Sequence, residues 1–411
     1  VRITMSESYD MSADIDTEAG ERAVTSFNVS MPGLEMIARE DGERIAYDYT
    51  APSIAAAMNS LEVADENVPL EMTMTLNAVE GVYASDPDGA SMQSDFSSAS
   101  ADLVASARDP EGEGTFSMTA SFADLSSSTT GAGLMMMGMG DVAAMLEEGF
   151  STDGNFSFGA TTFDMAFGDG AETFAAQGSM TGGRSSVTLD GSAMKTAATY
   201  EGLEFTASGS EIPFPQVTGA LGEWTTDLAI PLSASETVEP FELRLALVDL
   251  VVGEEIWSMF DPAGAMARDA LTAIVDLSGT ARLLVDLLDE EAMMASDEPA
   301  QIESLTLDEL RLSAAGAQLT GTGAFTFDNA DRTTFGGMPA PDGSVNLSLT
   351  GGNALLDTLV NMGFVPQEQA MMVRMMTGMI AKPGAGADEL VSEISVRPDG
   401  SILANGAPLP F

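Results

Sequence analysis

The stretch that decides the fold is LTLDELRL at residues 305–312, where leucine recurs at nearly every second position. Two more alternating runs follow, GTGAFTF at 321–327 and VNLSL at 345–349, and the turn sequence PDG at 398–400 predicts a closing hairpin. Successive side chains of a β-strand point to opposite faces, so a period of two predicts strands with one apolar and one polar face.

The rest of the chain repeats this pattern. Apolar residues alternate with small polar ones at 27–31, 45–49, 72–76 and 116–122, and turns rich in Asp, Pro and Gly separate these runs. A parallel sheet would instead show continuous apolar runs with helices between them. The sequence therefore predicts a mostly-β fold with a long twisted antiparallel sheet, either a curled half-barrel or sandwich-like.

Helices are predicted at two places, and a helical turn region is expected over 253–268. A methionine-rich segment near 134–148 is expected to form a short helix that ends at Gly149. A pair of covering helices is expected within 353–381, and Asn353 is the expected N-cap of the first. The apolar stripes of these helices are expected to lie over a sheet face.

The sequence also predicts the domain organisation. An acidic connector at 289–299 marks a soft boundary before the tail. We expect an elongated antiparallel β region with the short helix over 1–298. A C-terminal β region with the helix pair is expected over 299–411, continuous with the same sheet.

The composition restricts the partners. The formal net charge is −49, and such a surface repels nucleic acid and anionic membrane faces. A hydrophobic content of 45% still indicates a chain that builds a core rather than a disordered acidic polymer. We expect the acidic surface to keep the protein soluble or to bind basic or cation-bridged partners, and we expect no nucleic-acid partner.

Missing residue types exclude several chemistries. The chain has no cysteine and no histidine, which removes thiol nucleophiles, zinc–thiolate sites and the commonest general base. No segment reaches the roughly 18 apolar residues that a transmembrane helix needs. The sequence starts at Val1 without methionine, so we expect a processed N-terminus from which an export signal has been removed.

The tail also carries a family resemblance. The runs TGTGAFTFDN, GGMPAPDG, LTGGNALLDTLVNMGFVPQEQAMM and RPDGSILANGAPL resemble the C-terminal region of domain of unknown function 2125, an uncharacterised alphaproteobacterial envelope family. The likeness is strongest over 305–411, and EIWSMFDP at 255–262 extends it upstream. Family members carry an export signal, so the resemblance implies a periplasmic or otherwise exported protein. The family has no established activity, so the resemblance supplies no catalytic residues.

Candidate catalytic and metal-binding patterns are weak. Ser192 and Lys195 match the S-x-x-K spacing of serine acyl-enzymes, but the surrounding residues predict a strand, which would place the two side chains on opposite faces. The run DPDG at 86–89 offers oxygen ligands for calcium, yet it lacks the closing glutamate and is foremost a turn sequence. We expect no catalytic residue, no metal and no cofactor.

The methionines are the strongest functional signal. Their flexible, polarizable side chains either fill a core or line a surface that accepts varied apolar shapes. If such a surface exists, the sequence predicts that it includes the following residues: Met135, Met136, Leu356, Leu359, Met372, Met375, Met376 and Met379.

Three functions remain open at this point. The first is a non-enzymatic periplasmic or envelope protein that binds lipid or another apolar small molecule on a methionine-lined concave sheet face. The alternative is a structural or protein-interaction scaffold with a sealed core, whose acidic surface contacts another envelope protein. The third is a hydrolase that uses paired carboxylates, which would require two acids clustered in a cleft.

Overall fold

The structure is a computed structural model that describes residues 1–16, 22–63, 66–87, 90–109, 112–132 and 142–409. Strands dominate these residues, helices are few, and the described pairings between strands are antiparallel, so the predicted mostly-β antiparallel fold is confirmed. Two compact units are present: Val1–Val187 with Tyr200–Ala220, and Thr188–Thr199 with Leu221–Phe411. The predicted boundary at residue 298 lies inside the second unit.

The first strands of the chain, in order, are β1 (Arg2–Ile3), β2 (Ser8–Asp16), β3 (Arg22–Ser30), β4 (Glu35–Asp41), β5 (Arg44–Val63), β6 (Glu66–Val68), β7 (Leu70–Ser85), β8 (Ser91–Arg108), β9 (Thr115–Ala132), β10 (Ser151–Phe158), β11 (Thr161–Asp169), β12 (Glu172–Met180) and β13 (Gly182–Leu189). Helix α1 (Val142–Glu147) lies between β9 and β10. The glycine after it, Gly149, has φ +92°, as expected of the predicted helix end.

The remaining strands are β14 (Ala193–Gly209), β15 (Val217–Pro231), β16 (Glu239–Val252), β17 (Leu271–Leu283), β18 (Ala300–Ala314), β19 (Ala317–Asp328), β20 (Ala340–Thr350), β21 (Lys382–Pro383), β22 (Glu389–Val396), β23 (Ile402–Ala404) and β24 (Ala407–Pro408). The helices among them are α2 (Glu254–Phe260), α3 (Glu290–Ala295), α4 (Gly352–Asn361) and α5 (Gln367–Ile380). Each described helix is too short or too polar to cross a bilayer.

In the first unit, the ladder runs through β5, β7, β8, β9 and β11. One register position across these strands brings together Met58, Met72, Ala105, Met118 and Met165. Because all five residues share a position in the ladder, they point to the same face of the sheet. Four methionines of the first unit therefore form a row across the strands.

In the second unit, six strands form a ladder in the order β16, β17, β18, β19, β20, β22. One register position brings together Leu243, Leu277, Leu307, Gly323, Val345 and Ile394. The neighbouring position, which points to the opposite face, brings together Glu242, Ser278, Thr306, Ala324, Ser344 and Ser395. The predicted two-sided pattern is therefore present here.

A β-bulge keeps the leucines of β18 on one face. The alternation of the sequence breaks between Leu307 and Leu310, and a strand without a bulge would turn Leu310 to the polar side. The pairing of β18 with β19 shifts between these two residues, and its pairing with β17 shifts at the same place. One extra residue restores the phase, so Leu310 points to the same face as Leu307.

Glycine is required at one position of β17 by a close approach. The Phe241 ring lies over Gly279 from the neighbouring strand, and a Cβ at this glycine would come 2.5 Å from Cζ of that ring and closer still to the carbonyl oxygen of Ser304. The carbonyl belongs to the paired strand β18, so it has little freedom to move. The predicted long strand across Gly279 is confirmed, and the glycine makes room for a ring.

We therefore expect Gly279→Ala to lower the free energy of unfolding of the second unit by roughly 1–3 kcal/mol, as overpacking does. Gly378→Ala on α5 is the matched control, since a Cβ there meets nothing within 4 Å and alanine favours a helix. Urea unfolding curves of the two variants give the comparison. Equal midpoints for both would show that β17 has room for a side chain.

The helix pair α4–α5 forms where the sequence predicts it, but its cap differs from the expectation. The N-cap of α4 is Gly351, with φ +70°, and not Asn353. Asp388, just before β22, accepts hydrogen bonds from the backbone N–H groups of Asn353 (3.3 Å) and Ala354 (2.9 Å). The prediction that Asn353 caps α4 is therefore wrong, because a carboxylate 35 residues away takes that role.

Candidate functional site

The buried part of the described structure contains few large apolar side chains. Most of its buried hydrophobic residues are alanines, and the largest fully buried side chains are Val79 and Asp261. Close-packed cores normally bury leucine, phenylalanine and methionine first. Here many of those residues retain contact with solvent, and several of them lie on the sheet faces and on α5.

The apolar side of the second-unit sheet is the first part of the candidate site. We call this surface the leucine face, and it consists of Leu243, Leu245, Val275, Leu277, Leu307, Leu310, Leu312, Val345, Leu347 and Ile394. Leu245 and Leu312 are 45% and 42% exposed, and the others are half-buried. Six strands at about 4.8 Å spacing make this surface about 25 Å wide.

The opposite side of the same sheet carries charges in ion pairs. Arg244 lies 2.5 Å from Asp276 and 3.4 Å from Glu309, and Arg311 lies 3.0 Å from Glu309. The hydrogen bond to Asp276 raises the pKa of Arg244. A recess of about 580 Å³ is lined by residues of both faces, Glu309 and Leu310 among them. The two faces therefore offer different chemistry, and the leucine face is the apolar one.

Helix α5 is the second part of the candidate site. A residue advances about 100° around a helix, so one arc of α5 carries its five methionines and the opposite arc carries Ala370, Arg374 and Thr377. Ala370 is buried and Thr377 is half-buried, so this arc faces the protein. The methionines are 56% to 71% exposed, and they are Met371, Met372, Met375, Met376 and Met379.

The C-terminal end of α5 is attached to the sheet by side-chain hydrogen bonds. Ser392 Oγ and Asn405 Nδ2 donate to the carbonyl oxygen of Ile380, at 2.5 Å and 3.0 Å. Arg374 donates to Asp357 of α4 at 2.5 Å. The small inward residues allow the helix to lie close to its neighbours, while the bulky methionines point away. This orientation is the reverse of an ordinary surface helix.

The predicted site residues therefore divide into three groups. Met372, Met375, Met376 and Met379 share the outward arc of α5, and core filling, the other interpretation of this stripe, is wrong for these four. Leu356 and Leu359 are half-buried on α4, which packs against α5 and β19.

Met135 and Met136 lie outside the described residues, as does most of the predicted helix near 134–148. The part that is described packs inward, because Met145 and Leu146 of α1 are buried. The apolar residues Met145 and Leu146 of α1 therefore fill a core, whereas the methionines of α5 form an exposed apolar surface.

Sequence reasoning missed a buried polar cluster around Asp261. Asp261 follows α2, its side chain is fully buried, and it accepts hydrogen bonds from Arg268 Nη1 (2.5 Å) and from the N–H groups of Ala265 and Met266 (both 2.9 Å). Arg268 also stacks 4.5 Å from the centroid of the Trp257 ring. The hydrogen bond from Arg268 and those from the backbone hold the pKa of Asp261 at about 2.

The hydroxyl of Ser192 in the S-x-x-K pattern is hydrogen-bonded to a carboxylate. Ser192 Oγ donates to Asp190 at 2.6 Å, in the turn that precedes β14. That hydrogen bond lowers the pKa of Asp190, which makes this carboxylate a poorer base. Both Ser192 and Lys195 line a separate recess of about 500 Å³.

Metal-binding clusters are likewise not evident among the residues that the structure covers: no group of three or more acidic side chains there has a geometry that could hold a metal ion. Gly89 and Asp88 of the DPDG run lie outside those residues. Asp86 of the same run accepts from Arg44 (2.9 Å) and from Ser91 (2.5 Å), as a turn residue does.

Comparison with known proteins identifies one relationship. The model of a family described as "Uncharacterized protein conserved in bacteria (DUF2125)" matches residues 155–410. No curated protein matches the chain. No solved structure matches it either.

Proposed function

This chain belongs to the bacterial family DUF2125, and we propose that it is a non-enzymatic protein of the cell envelope that binds lipid or another apolar ligand on its leucine face. The observation that carries the proposal is the exposure of that face. Leucines on the apolar face of a hydrogen-bonded sheet are normally buried against a second layer. Here Leu245 and Leu312 are more than two-fifths exposed.

Apolar contact on this surface favours binding of an acyl chain. Each methylene removed from water contributes about 0.8 kcal/mol, so about ten methylenes of an acyl chain contribute about 8 kcal/mol before the cost of association. The charges lie on the other side of the sheet, in ion pairs such as Arg244–Asp276. A ligand on the leucine face therefore does not have to desolvate these groups.

The methionines form two further apolar surfaces outside the leucine face. The row Met58, Met72, Met118 and Met165 in the first unit and the outward arc of α5 both present flexible apolar side chains. Lipids differ in chain length and unsaturation, and methionine adapts to such differences at little cost. We place the protein in the periplasm, as the family resemblance implies, and fractionation of the native cell tests that location.

Non-enzymatic binding fits the acid groups better than carboxylate catalysis does. Asp261 is the fully buried carboxylate among the described residues, and with a pKa of about 2 it stays ionised near neutral pH and cannot act as a general acid. Glu309 in the 580 Å³ recess forms ion pairs with Arg311 and Arg244. These contacts favour a structural role for both acids.

Two variants with equal changes in hydrophobicity test the proposal. The double variant Leu245→Gln with Leu312→Gln alters the leucine face. The double variant Leu284→Gln with Leu288→Gln is the control. Leu284 and Leu288 are similarly exposed (42% and 37%) but lie beyond the end of β17. We expect delipidated protein to take up a fluorescent fatty acid. The first variant should bind it at least tenfold more weakly, while the control binds within twofold of the unaltered protein.

Two results would contradict the proposal. The first is a delipidated protein that takes up no fatty acid. The second is an equal loss of uptake in both double variants, since a general loss of apolar surface and not the leucine face would then account for the effect. Circular dichroism of each variant confirms that the β-structure is retained.

A further inference from the structure

The outward arc of α5 is an apolar surface that the leucine face does not explain. From Met371 to Met379 this arc carries only methionine, and the one basic residue of the helix, Arg374, lies on the other arc and pairs with Asp357 at 2.5 Å. The hydrogen bonds from Ser392 and Asn405 hold the end of the helix to the sheet. The methionines are therefore presented by an anchored helix.

A second copy of the chain fits this surface poorly. Stable protein interfaces bury about 800 Å² on each partner, whereas the stripe from Met371 to Met379 spans nine residues, about 12 Å along the helix. Two chains that each carry a net charge of −49 also repel one another. Area and charge both disfavour self-association through α5.

An anionic membrane fits poorly as well. Helices that lie on anionic lipid carry lysine and arginine beside their apolar face, and those cations contact the headgroups. Helix α5 has no free cation among its described residues, because Arg374 pairs with Asp357. The net charge adds a general repulsion from such a surface.

We infer that α5 docks on the surface of a zwitterionic lipid bilayer, where its methionines enter the boundary between headgroups and acyl chains. A neutral surface brings no electrostatic penalty, and an outward arc of methionines suits a helix that lies in the interface, where apolar faces are buried by roughly 5–10 Å. The inference rests on the proposed function, because docking would bring the protein to the lipid that the leucine face binds.

The experiment measures cosedimentation of the full chain with vesicles of phosphatidylcholine alone and with vesicles that contain 30 mol% phosphatidylglycerol, each at low and high salt. Met375→Gln with Met379→Gln removes two outward methionines that are 71% and 61% exposed. Met294→Gln with Met338→Gln is the matched control, since Met294 and Met338 are 83% and 65% exposed but lie outside α5. Sedimentation without vesicles reports the oligomeric state of each protein.

We expect the unaltered protein and the control to bind phosphatidylcholine vesicles, and the α5 variant to bind them at least fivefold more weakly. Phosphatidylglycerol should weaken binding at low salt, and high salt should reverse that effect. Stronger binding to the anionic vesicles, equal losses in both variants, or no vesicle binding together with a dimer that the α5 variant dissociates would each overturn the inference.

The two proposals fail in different ways. Fatty-acid uptake without vesicle binding would overturn docking through α5 and leave the leucine face as the ligand site. Vesicle binding that depends on Met375 and Met379, with no uptake of fatty acid, would overturn the ligand-binding proposal instead. The uptake assay needs no membrane, so each result is assigned to one surface.

Discussion

Replacement of Asp261 by alanine is expected to lower the melting temperature by roughly 10 °C. The carboxylate is fully buried and accepts hydrogen bonds from Arg268, Ala265 and Met266. Alanine would leave the Arg268 guanidinium beside Trp257 without its main partner, together with two unpaired N–H groups. Removal of one member of a buried ion pair is costly because the other charge stays in place.

Asp357→Ala is the matched control for this prediction. Asp357 also pairs with an arginine at 2.5 Å, but its side chain is 62% exposed, and exposed ion pairs contribute little to stability. Differential scanning calorimetry of the two variants at pH 7 compares them. Similar melting temperatures for both would show that the cluster around Asp261 does not hold the loop after α2.

The same carboxylate predicts a dependence on pH. The pKa of Asp261 is lowered to about 2, so the folded state favours its ionised form, and this contribution is fully present above the ordinary pKa of about 4. The contribution is lost as the pH falls from about 4 through about 2. The difference in stability between the unaltered protein and Asp261→Asn should therefore be largest near neutral pH and shrink towards pH 2.

Replacement of Asp388 by alanine is expected to loosen α4 by roughly 1–2 kcal/mol, because it removes the carboxylate that caps the helix from outside. The backbone hydrogen bonds that Asp388 accepts from Ala354 and Asn353 lower the pKa of its carboxyl, which means that they favour the charged form. The residue also has φ +51°, a conformation that alanine adopts with strain. Amide hydrogen exchange at α4 should accelerate about tenfold.

Two further substitutions at this position separate the cap from the backbone strain. Asp388→Asn keeps a side-chain oxygen and tolerates positive φ, so we expect it to retain most of the protection. Asp388→Gly relieves the strain but has no side chain, so it should exchange nearly as fast as the alanine variant. Slow exchange in the glycine variant would contradict the role of Asp388 as a cap.

Local rules predicted the elements that depend on neighbouring residues. Three such elements could be predicted from the sequence: the alternation of leucine in β18, the turn at 398–400 between β22 and β23, and the end of α1 near Gly149. Each depends only on residues within a few positions. The bulge at Leu307–Leu310 was visible as a phase break in the alternation. Only the pairing of β18 with β17 and β19 shows that this break is a bulge, because the register shifts there.

Contacts that no local sequence pattern specifies decided the rest. The cap on α4 comes from Asp388, and Arg268 reaches Asp261 only because the loop after α2 folds back on itself. The stripe of Met372, Met375, Met376 and Met379 has the same sequence pattern whether it faces inward or outward. The neighbours of the helix determine which arc is buried, and here they bury Ala370 instead.

By itself, the sequence determined the strand class, the antiparallel pairing and the lack of cysteine and histidine chemistry, because periodicity and composition are properties of the chain alone. The tertiary structure decided which apolar surfaces stay open. Hydrophobic side chains give the same pattern in a sealed core and on an exposed face, and only the packing of other elements against Leu245, Leu312 and the methionines of α5 distinguishes the two.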